Sequence, residues 1–325
     1  MIKKIGYGLA VLAGLYLTLA LALTFWPSPR FQRPPLARPA LRELAYQPLN
    51  FAARDGARLY GRQFGGPAAT TVLLVHGVGS DGSELERPAQ LLHEASGARI
   101  VVLDLRGHGR SAGRPWSVDH AGQYDEDVSD VLMALRKQAP GGRLVLAGHS
   151  MGGGIALRHA LTTGAPVDGY LLIAPLLGST AQTMKAGGSG AGSGAGAQFA
   201  IFHTPRLFGV LLFNLIAVHA LDQLPILELN QAGRPAYGFA ALQSMQPNAP
   251  KDYRVALGGI HAPLLLVAGS QDEAFNAAAY PGVVRAYGHG EVMIAPGATH
   301  NSVLTQQDSV QKMGQWLRGI SPAAA

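Results

Sequence analysis

A serine flanked by glycines is the residue in this sequence best suited to act as a nucleophile. Gly148-His149-Ser150-Met151-Gly152 follows an apolar run typical of a buried strand and precedes a run of helix formers. A sharp turn from strand to helix presents such a serine in a strained backbone conformation, and glycine neighbours avoid clashes there. Glycine-rich turns containing serine are common, so the flanking strand and helix carry the prediction. We interpret Ser150 as the nucleophile of a covalent mechanism.

A serine nucleophile needs a base, and the base needs an acid that orients it. Asp272 follows the apolar run 262–270, and His300 follows the run 291–296. Both therefore come after the carboxyl ends of predicted strands, in the chain order serine, acid, histidine. Glu273 is an alternative acid. His261 and His289 also compete for the role of base. However, His261 precedes its strand, and His289 lies in a Gly-His-Gly turn before a strand.

Acyl transfer also needs N–H groups that stabilise negative charge on the carbonyl oxygen. We expect one from Met151, directly after the nucleophile, and one from Val78, in the turn at 76–82. His76, at the start of this turn, is given a structural role. The glycine-rich stretch 104–113 lacks the phosphate-loop pattern, so we expect it to have a structural role and not to bind phosphate.

These residues must be held by strands that end at a common edge. Apolar runs alternate with helical patterns along most of the chain, and a period-2 stretch predicts a hairpin that turns at Asp55-Gly56. Uniformly apolar strands separated by helices indicate a parallel sheet covered on both faces. The predicted strands after the hairpin are 71–77, 99–107, 143–150, 169–175, 262–270 and 291–296, and the predicted helices include 124–138 and 302–318.

Residues 176–250 interrupt this alternation, because they contain no convincing core strand. They include a glycine-rich run at 186–197, which is expected to be flexible. They also include an apolar segment at 206–221, too short to cross a bilayer comfortably, which we interpret as a buried or interfacial helix. We expect 176–250 to be an insertion over the carboxyl edge of the sheet, where open α/β sheets bind ligands.

The N-terminus carries an uncharged apolar segment from Ile5 to Trp26, preceded by Lys3 and Lys4. As a helix it would be about 33 Å long, enough to cross a hydrocarbon core of about 30 Å. This length favours a membrane anchor over a cleaved signal peptide, whose apolar part is usually about 7–15 residues. Basic residues flank both ends, so the sequence leaves the orientation open.

Composition excludes several functional classes. The 325-residue chain has no cysteine, which rules out disulfides, thiolate zinc sites and a cysteine nucleophile. Its net charge of +6 is scattered without a basic stripe, so we expect no nucleic-acid partner. Attraction to an anionic membrane surface fits the charge better. No metal-binding motif appears, and we expect neither a metal nor a cofactor.

The motifs GHSMGG, DLRGHGRS, HGVG, GSQDE and GATHN resemble those of the α/β-hydrolase superfamily, most of all its monoacylglycerol lipase, lysophospholipase and serine-aminopeptidase-like branch. The resemblance covers about residues 45–320. It implies an α/β fold in which helices flank a mostly parallel eight-stranded sheet, with a cap inserted after the sixth strand. It also implies a triad of Ser150, Asp272 and His300, with an oxyanion hole at Val78 and Met151.

The expected organisation is an N-terminal anchor or uncleaved signal at 1–28, a proline-rich spacer at 29–44, a hydrolase core at 45–175 and 251–320, and a cap at 176–250. The leading hypothesis is a single-pass membrane serine hydrolase of lipophilic esters, monoacylglycerol-like or lysophospholipid-like. The alternatives are an amidase, an aminopeptidase-like enzyme or a thioesterase with the same triad. A further alternative, of another class, is a non-catalytic binding protein with this fold.

Overall fold

An eight-stranded sheet forms the centre of the protein, whose computed structural model describes residues 2–31, 34–35, 44–162, 164–185, 200–233, 235–246 and 252–320. Its strands lie in the order β1-β2-β4-β3-β5-β6-β10-β11. In chain order the strands are β1 (Gln47–Ala52), β2 (Arg58–Phe64), β3 (Thr70–Val75), β4 (Arg99–Leu103), β5 (Arg143–His149), β6 (Gly169–Ile173), β7 (Ala200–Phe202), β8 (Pro225–Leu229), β9 (Ala236–Gly238), β10 (Leu264–Gly269) and β11 (Glu291–Ala295).

Strand direction in this sheet follows the prediction. β2 is antiparallel to β1 and to β4, and the other neighbouring pairs are parallel. The hairpin turns at Asp55-Gly56, where Gly56 adopts a φ of 83°. The mostly parallel eight-stranded α/β sheet is therefore confirmed, and the six apolar runs form strands whose ends lie at most four residues from the predicted ones.

Helices cover both faces of the sheet, because alternate strand residues are apolar on both sides. Leu73 and Val75 of β3 pack in the cluster with α3 and α4, whereas Val72 and Leu74 pack in the cluster with α2 and α9. The helices are α1 (Ile2–Thr24), α2 (Glu86–Ser96), α3 (Gln123–Gln138), α4 (Met151–His159), α5 (Thr204–Leu215), α6 (Phe239–Met245), α7 (Tyr253–Gly258), α8 (Tyr280–Tyr287) and α9 (Gln307–Gly319).

Two predicted helices have different ends in the structure. The predicted helix 302–318 begins with a 3₁₀ turn at Ser302–Leu304, and α9 starts at Gln307. The predicted helix 206–221 ends at Leu215, because Ala217 adopts a left-handed φ of 58° that an α-helix cannot contain. The side chain of Asn214 stabilises this end by donating to Asp222 Oδ1 at 2.5 Å.

The insertion has a small sheet of its own, formed by the antiparallel strands β7, β8 and β9. In the described part of 176–250 none of its strands joins the large sheet, and the glycine-rich run 186–197 lies outside the described residues. The insertion contacts the loop after β10, where Asn276 N donates to Thr183 O at 2.8 Å. Its helix α6 packs on α4. The insertion therefore lies at the carboxyl edge of the sheet.

The N-terminal segment is a single helix, α1, most of whose surface is exposed. Within the described ranges, Lys4–Thr24 is the one helical stretch long and apolar enough to cross a membrane, a property that signal sequences share. Residues 32–33 and 36–43 of the predicted spacer lie outside the described residues. The C-terminal half of α1 packs against α5 of the insertion, a contact that the sequence analysis did not predict.

Candidate active site

Ser150 lies at the junction of β5 and α4, in a backbone conformation that few residues other than glycine adopt. Its φ is 56° and its ψ is −117°. Such a conformation costs about 1–3 kcal/mol and persists where the surroundings enforce it. Here Ser150 N donates to Ile173 O of β6 at 3.0 Å, and Ser150 O accepts from Gly153 N and Leu176 N. The serine is thus held at the carboxyl edge of the sheet.

The glycines around Ser150 are explained by close backbone contacts. A Cβ built on Gly148 would lie 2.2 Å from Gly152 O, and one built on Gly152 would lie 2.3 Å from Val75 O. Both distances are far below a van der Waals contact, and the clashing atoms are backbone atoms that cannot move aside. The turn therefore requires glycine at both positions.

Asp272 and His300 form a hydrogen-bonded pair at the ends of β10 and β11. His300 Nδ1 lies 2.9 Å from Asp272 Oδ2, and both side chains are buried. The second oxygen, Asp272 Oδ1, accepts from the backbone N–H groups of Ala274 and Phe275, both at 2.8 Å. A carboxylate at Nδ1 fixes the tautomer in which Nε2 is the proton acceptor.

The environment of Asp272 favours its ionised form. Burial by itself raises the pKa of this carboxyl, but the hydrogen bond and charge of His300 and the N–H groups of Phe275 and Ala274 hold the pKa below its usual value. Asp272 therefore carries a negative charge beside the imidazole across the neutral pH range.

Glu273, the alternative acid, contacts His300 differently. Its Oε2 accepts the backbone N–H of His300 at 3.0 Å, and its side chain is exposed. The competing bases His261 and His289 are both exposed. The structure thus places Asp272, and not Glu273, at the ring of His300.

No hydrogen bond joins Ser150 Oγ to His300 Nε2 among the described residues. The two residues are instead linked through His149, whose Nε2 donates to His300 O at 3.0 Å and whose ring centroid lies 4.8 Å from that of His300. Hydrogen bonds between catalytic groups are often long before substrate binds and tighten in the complex. The arrangement leaves Ser150 next to the residue that positions His300.

His149 is a buried neutral imidazole. Burial, and then the proximity of the His300 ring, lower its pKa to about 3. Because a neutral ring that donates through Nε2 has no second proton, its tautomer is fixed by the His300 carbonyl. His149 therefore acts as a positioning residue for the segment that carries His300.

The two predicted oxyanion donors belong to α4 and to the loop after β3. Met151 is the first residue of α4, so its N–H has no acceptor within the helix. Val78 follows Gly77, and a Cβ built on Gly77 would lie 3.3 Å from Ser150 Cβ, which brings this loop against the serine. The Val78 N–H donates to none of the described residues. Neither N–H group has a backbone acceptor among the described residues, as the predicted role requires.

Tyr237 of the insertion holds the loop that contains Val78. Its hydroxyl oxygen accepts the Gly79 N–H at 2.7 Å and lies 3.1 Å from His108 Nε2. The rings of His108 and Tyr237 lie 5.8 Å apart, tilted by 31°, in an aromatic cluster with the buried Tyr124 and the partly buried Trp116. A residue of β9 therefore holds the loop that contains the predicted donor Val78.

The glycine-rich stretch 104–113 supports the same loop, in the architectural role expected of it. Asp104 Oδ1 accepts from Gly82 N at 2.7 Å and from Arg62 Nη1 at 2.6 Å, in a buried ion pair. His76 Nε2 accepts from Leu105 N at 3.2 Å, and burial lowers the pKa of His76. His76 is thus a neutral structural residue.

The described residues contain no cluster of His, Asp and Glu side chains that could hold a metal ion. Three residues that contact the site were not predicted from the sequence: His149, Tyr237 and Lys185, whose Nζ donates to Asp272 O at 2.6 Å. His149 occupies the variable position of the serine motif, which gave no separate signal. Tyr237 and Lys185 are on the insertion, whose placement over the loops the sequence does not encode locally.

Known proteins are similar to parts of this chain. Residues 66–212 match the family model of serine aminopeptidases, S33. Monoglyceride lipase of Homo sapiens is 32% identical over 142 residues, which are 42% of this chain and 46% of that protein. The lipase LipV of Mycobacterium tuberculosis is 34% identical over 118 residues, 36% of this chain and 41% of that protein. The chain covers less than half the length of these curated relatives.

A solved structure of a membrane phospholipase A, described as a bacterial virulence factor, has a TM-score of 0.56 at 22% identity and covers 98% of both chains. At this identity the likeness shows the fold.

Proposed function

Since the chain belongs to the α/β-hydrolase superfamily, in the branch of monoglyceride lipases and S33 serine aminopeptidases, we propose that it is a serine hydrolase that cleaves carboxylic esters. The observation that carries the proposal is the buried pair of His300 and Asp272 on the edge of the sheet where Ser150 sits in a strained turn. This arrangement fits acyl transfer, because one residue supplies the nucleophile, one the base and one the orienting charge.

The proposed reaction proceeds through an acyl-enzyme. Ser150 Oγ attacks the ester carbonyl while His300 Nε2 takes its proton, and Asp272 stabilises the imidazolium that forms. The N–H groups of Val78 and Met151 stabilise the tetrahedral oxyanion. His300 then gives its proton to the leaving alcohol. In the second half, a water molecule loses a proton to His300 and attacks the acyl group. The bond to Ser150 Oγ then breaks, Ser150 Oγ takes the proton back from His300, and the carboxylic acid is released.

Lipophilic esters, such as monoacylglycerols or lysophospholipids, are the substrates we propose. Monoglyceride lipase of Homo sapiens is among the relatives, and a membrane phospholipase A shares the fold along nearly the whole chain. The exposed apolar residues of α5 lie on the proposed cap, 176–250, which contacts both the oxyanion loop and the loop of Asp272. An ester with a long acyl chain would approach the site past this apolar surface.

We also propose that α1 anchors the protein in a membrane, with residues 1–28 as the anchor, 29–44 as a spacer and 45–175 with 251–320 as the core. The support is an exposed apolar helix over Lys4–Thr24, about 31 Å long. The competing interpretation is a signal sequence that is removed.

A second candidate function, peptide or amide hydrolysis, is favoured by the match to S33 serine aminopeptidases over residues 66–212. The experiment that separates the candidates uses the purified full chain in detergent. A fluorophosphonate probe should label the wild type and not Ser150→Ala. Matched ester, thioester and aminoacyl-amide substrates should then be hydrolysed with preference for the ester. Preference for the amide would establish the second candidate, and failure to label would indicate a non-catalytic binding protein.

A further inference from the structure

Helices α1 and α5 form an antiparallel pair. Tyr16 Oη donates to Leu212 O at 2.5 Å, and further along, the guanidinium of Arg206 donates to Thr24 O at 3.2 Å and to Ser28 Oγ at 2.6 Å. Between these contacts the backbones approach closely, because a Cβ built on Gly209 would lie 2.4 Å from Thr24 N and 2.8 Å from Ala20 O. A small residue at a helix crossing permits such an approach in lipid as in water. The N-terminal helix is therefore packed along the cap and is not a free tether.

This packing determines how the cap sits if α1 enters a bilayer. Contacts with α5 extend from Tyr16 to Thr24, about 13 Å of the roughly 31 Å apolar stretch that ends at Thr24. The part of α1 before Tyr16 is about 18 Å long, much shorter than a hydrocarbon core of about 30 Å. Hence α1 can span the bilayer in this arrangement only if α5 is immersed beside it.

The outward face of α5 has the composition that immersion requires. The sequence from Leu207 to Val218 has no charged residue. Phe208 is 53% exposed and Leu215 is 71% exposed, and Leu211 and Ile216 are exposed beside them. The amide nitrogen of Asn214 donates inside the protein to Val210 O and Asp222 Oδ1. The exposed side chains of this face are therefore apolar.

At the end of the helix pair where α1 terminates and α5 begins, the residues are typical of the membrane–water interface. Phe25 and Trp26, directly after α1, are 62% and 56% exposed. Arg206 lies at the same level, bound to Thr24 O and Ser28 Oγ. Aromatic rings and arginine at the end of an apolar span are characteristic of the headgroup region.

We propose that α5 and the C-terminal half of α1 are immersed together in one leaflet of a lipid bilayer, with Trp26 and Arg206 at its surface. The occupant of the exposed α5 face is lipid. The cap is then held at the leaflet from which a lipophilic substrate would come. Tyr237 and Lys185 connect the cap to the loops of the proposed active site, so these loops are held there as well. The inference rests on the proposed membrane anchor and is independent of the reaction catalysed.

The absence of cysteine from the chain allows a direct test. Single variants Leu215→Cys, Phe208→Cys, Leu12→Cys and Val255→Cys carry a nitroxide label in the full chain reconstituted into phosphatidylcholine–phosphatidylglycerol vesicles. Collision rates are measured with oxygen, which partitions into lipid, and with a water-soluble nickel chelate. Leu12 is 64% exposed in α1, and Val255 is 59% exposed on the core helix α7. Each of the four sites tolerates the label because its side chain faces outward.

For each label we take the ratio of its collision rate with oxygen to its collision rate with the nickel chelate. This ratio should be at least fivefold higher at Leu215, Phe208 and Leu12 than at Val255. A water-exposed label at Leu215 with a lipid-exposed label at Leu12 would overturn the immersion and leave the anchor intact. Water exposure at both would overturn the anchor as well. Protection of Leu215 from both reagents, with dipolar broadening between labels, would show a second copy of the chain on this face and overturn the proposal.

A matched glycine pair tests the role of the helix contact. Gly209→Leu forces α5 away from Thr24, whereas a side chain at Gly14 would meet nothing within 4 Å. Gly209→Leu should move the label at Leu215 toward water and leave the label at Leu12 in lipid. Gly14→Leu should move neither. An unchanged label at Leu215 in Gly209→Leu would contradict immersion through the α1 contact.

Discussion

The hydroxyl of Tyr237, on the cap, accepts the backbone N–H of Gly79, one residue after the predicted oxyanion donor Val78. Tyr237→Phe removes this acceptor while keeping the ring in its cluster, so the loop should lose its fixed position. We expect kcat to fall about tenfold, equivalent to about 1.4 kcal/mol, with KM nearly unchanged, because the donor acts on the transition state.

The matched control for Tyr237 is Tyr124→Phe. Both rings are fully buried and both pack against His108, but the Tyr124 hydroxyl has no hydrogen-bond partner among the described residues. Steady-state kinetics of the two variants should differ in kcat. Equal rates would show that Tyr237 serves only to fill the cluster.

Ser150→Ala should abolish ester hydrolysis and preserve the fold. The loss should be about 10⁴-fold or more, as for removal of a nucleophile from other serine hydrolases. Alanine fits the turn sterically as well as serine does, so thermal unfolding should stay close to that of the wild type. Ser179→Ala, at an exposed position, is the control. Retention of a tenth of the wild-type turnover would exclude Ser150 as the nucleophile.

Asp272→Asn should lower kcat/KM by about 10⁴-fold, because the amide stabilises the wrong tautomer of His300 and removes the charge beside it. Glu273→Gln keeps an oxygen that accepts the His300 N–H, so its effect should be within about threefold. The same ester assay measures both variants. If Glu273→Gln were inactive and Asp272→Asn active, the acid would be Glu273.

The acidic limb of the pH–rate profile should contain one ionisation. His300 must be neutral to accept the serine proton. Asp272 has a pKa below its usual value, and His149 has a pKa of about 3, so neither changes charge between pH 5 and 9. We expect log kcat/KM to rise with a slope of one, and His149→Gln, His261→Ala and His289→Ala to keep that slope. A slope of two in the wild type would mean that a second buried group titrates with the base.

Stability should fall below about pH 6.5 because of buried histidines. Burial lowers the pKa of His159 to about 4, and its Nε2 has no partner among the described residues. The unfolded chain binds a proton near pH 6.5, while the folded chain does not until about pH 4. The free energy of unfolding therefore decreases as pH falls between these values, by up to about 1.4 kcal/mol per pH unit for this residue.

Urea unfolding at pH 5 and pH 7 checks the contribution of His159. His159→Gln should reduce the difference in unfolding free energy between the two conditions, and His261→Gln, at an exposed position, should not. An identical pH dependence in His159→Gln and the wild type would show that other groups account for the acid sensitivity.

Much of the sheet, and the placement of the proposed catalytic residues at strand ends, could be predicted because their signals are local. Apolar runs such as 143–149 determine a buried strand by themselves, and a serine between glycines is explained by contacts within five residues and the neighbouring strand β3. Asp272 and His300 were located by their places after strands, since parallel strands end at one edge. Their pairing through Oδ2 and Nδ1 follows from that topology.

The contacts of the cap could not be predicted in the same way. Tyr237 meets Gly79 across 158 residues of chain, and nothing in the sequence around either residue specifies the partner. Helix α1 is apolar on all sides, so its periodicity does not indicate which face packs against Gly209. The end of α5 at Leu215 depends on the left-handed conformation of Ala217, which an alanine in the sequence does not indicate.

Strand β10 pairs with β6, although roughly 90 residues separate Ile173 from Leu264. The entropy lost on closing a loop grows only with the logarithm of its length, so this connection costs about 2 kcal/mol more than one of ten residues. The two halves of the sheet can therefore tolerate large changes in what lies between them. Transplanting the segment between β6 and β10 from a relative should alter which molecules are accepted without preventing the sheet from assembling.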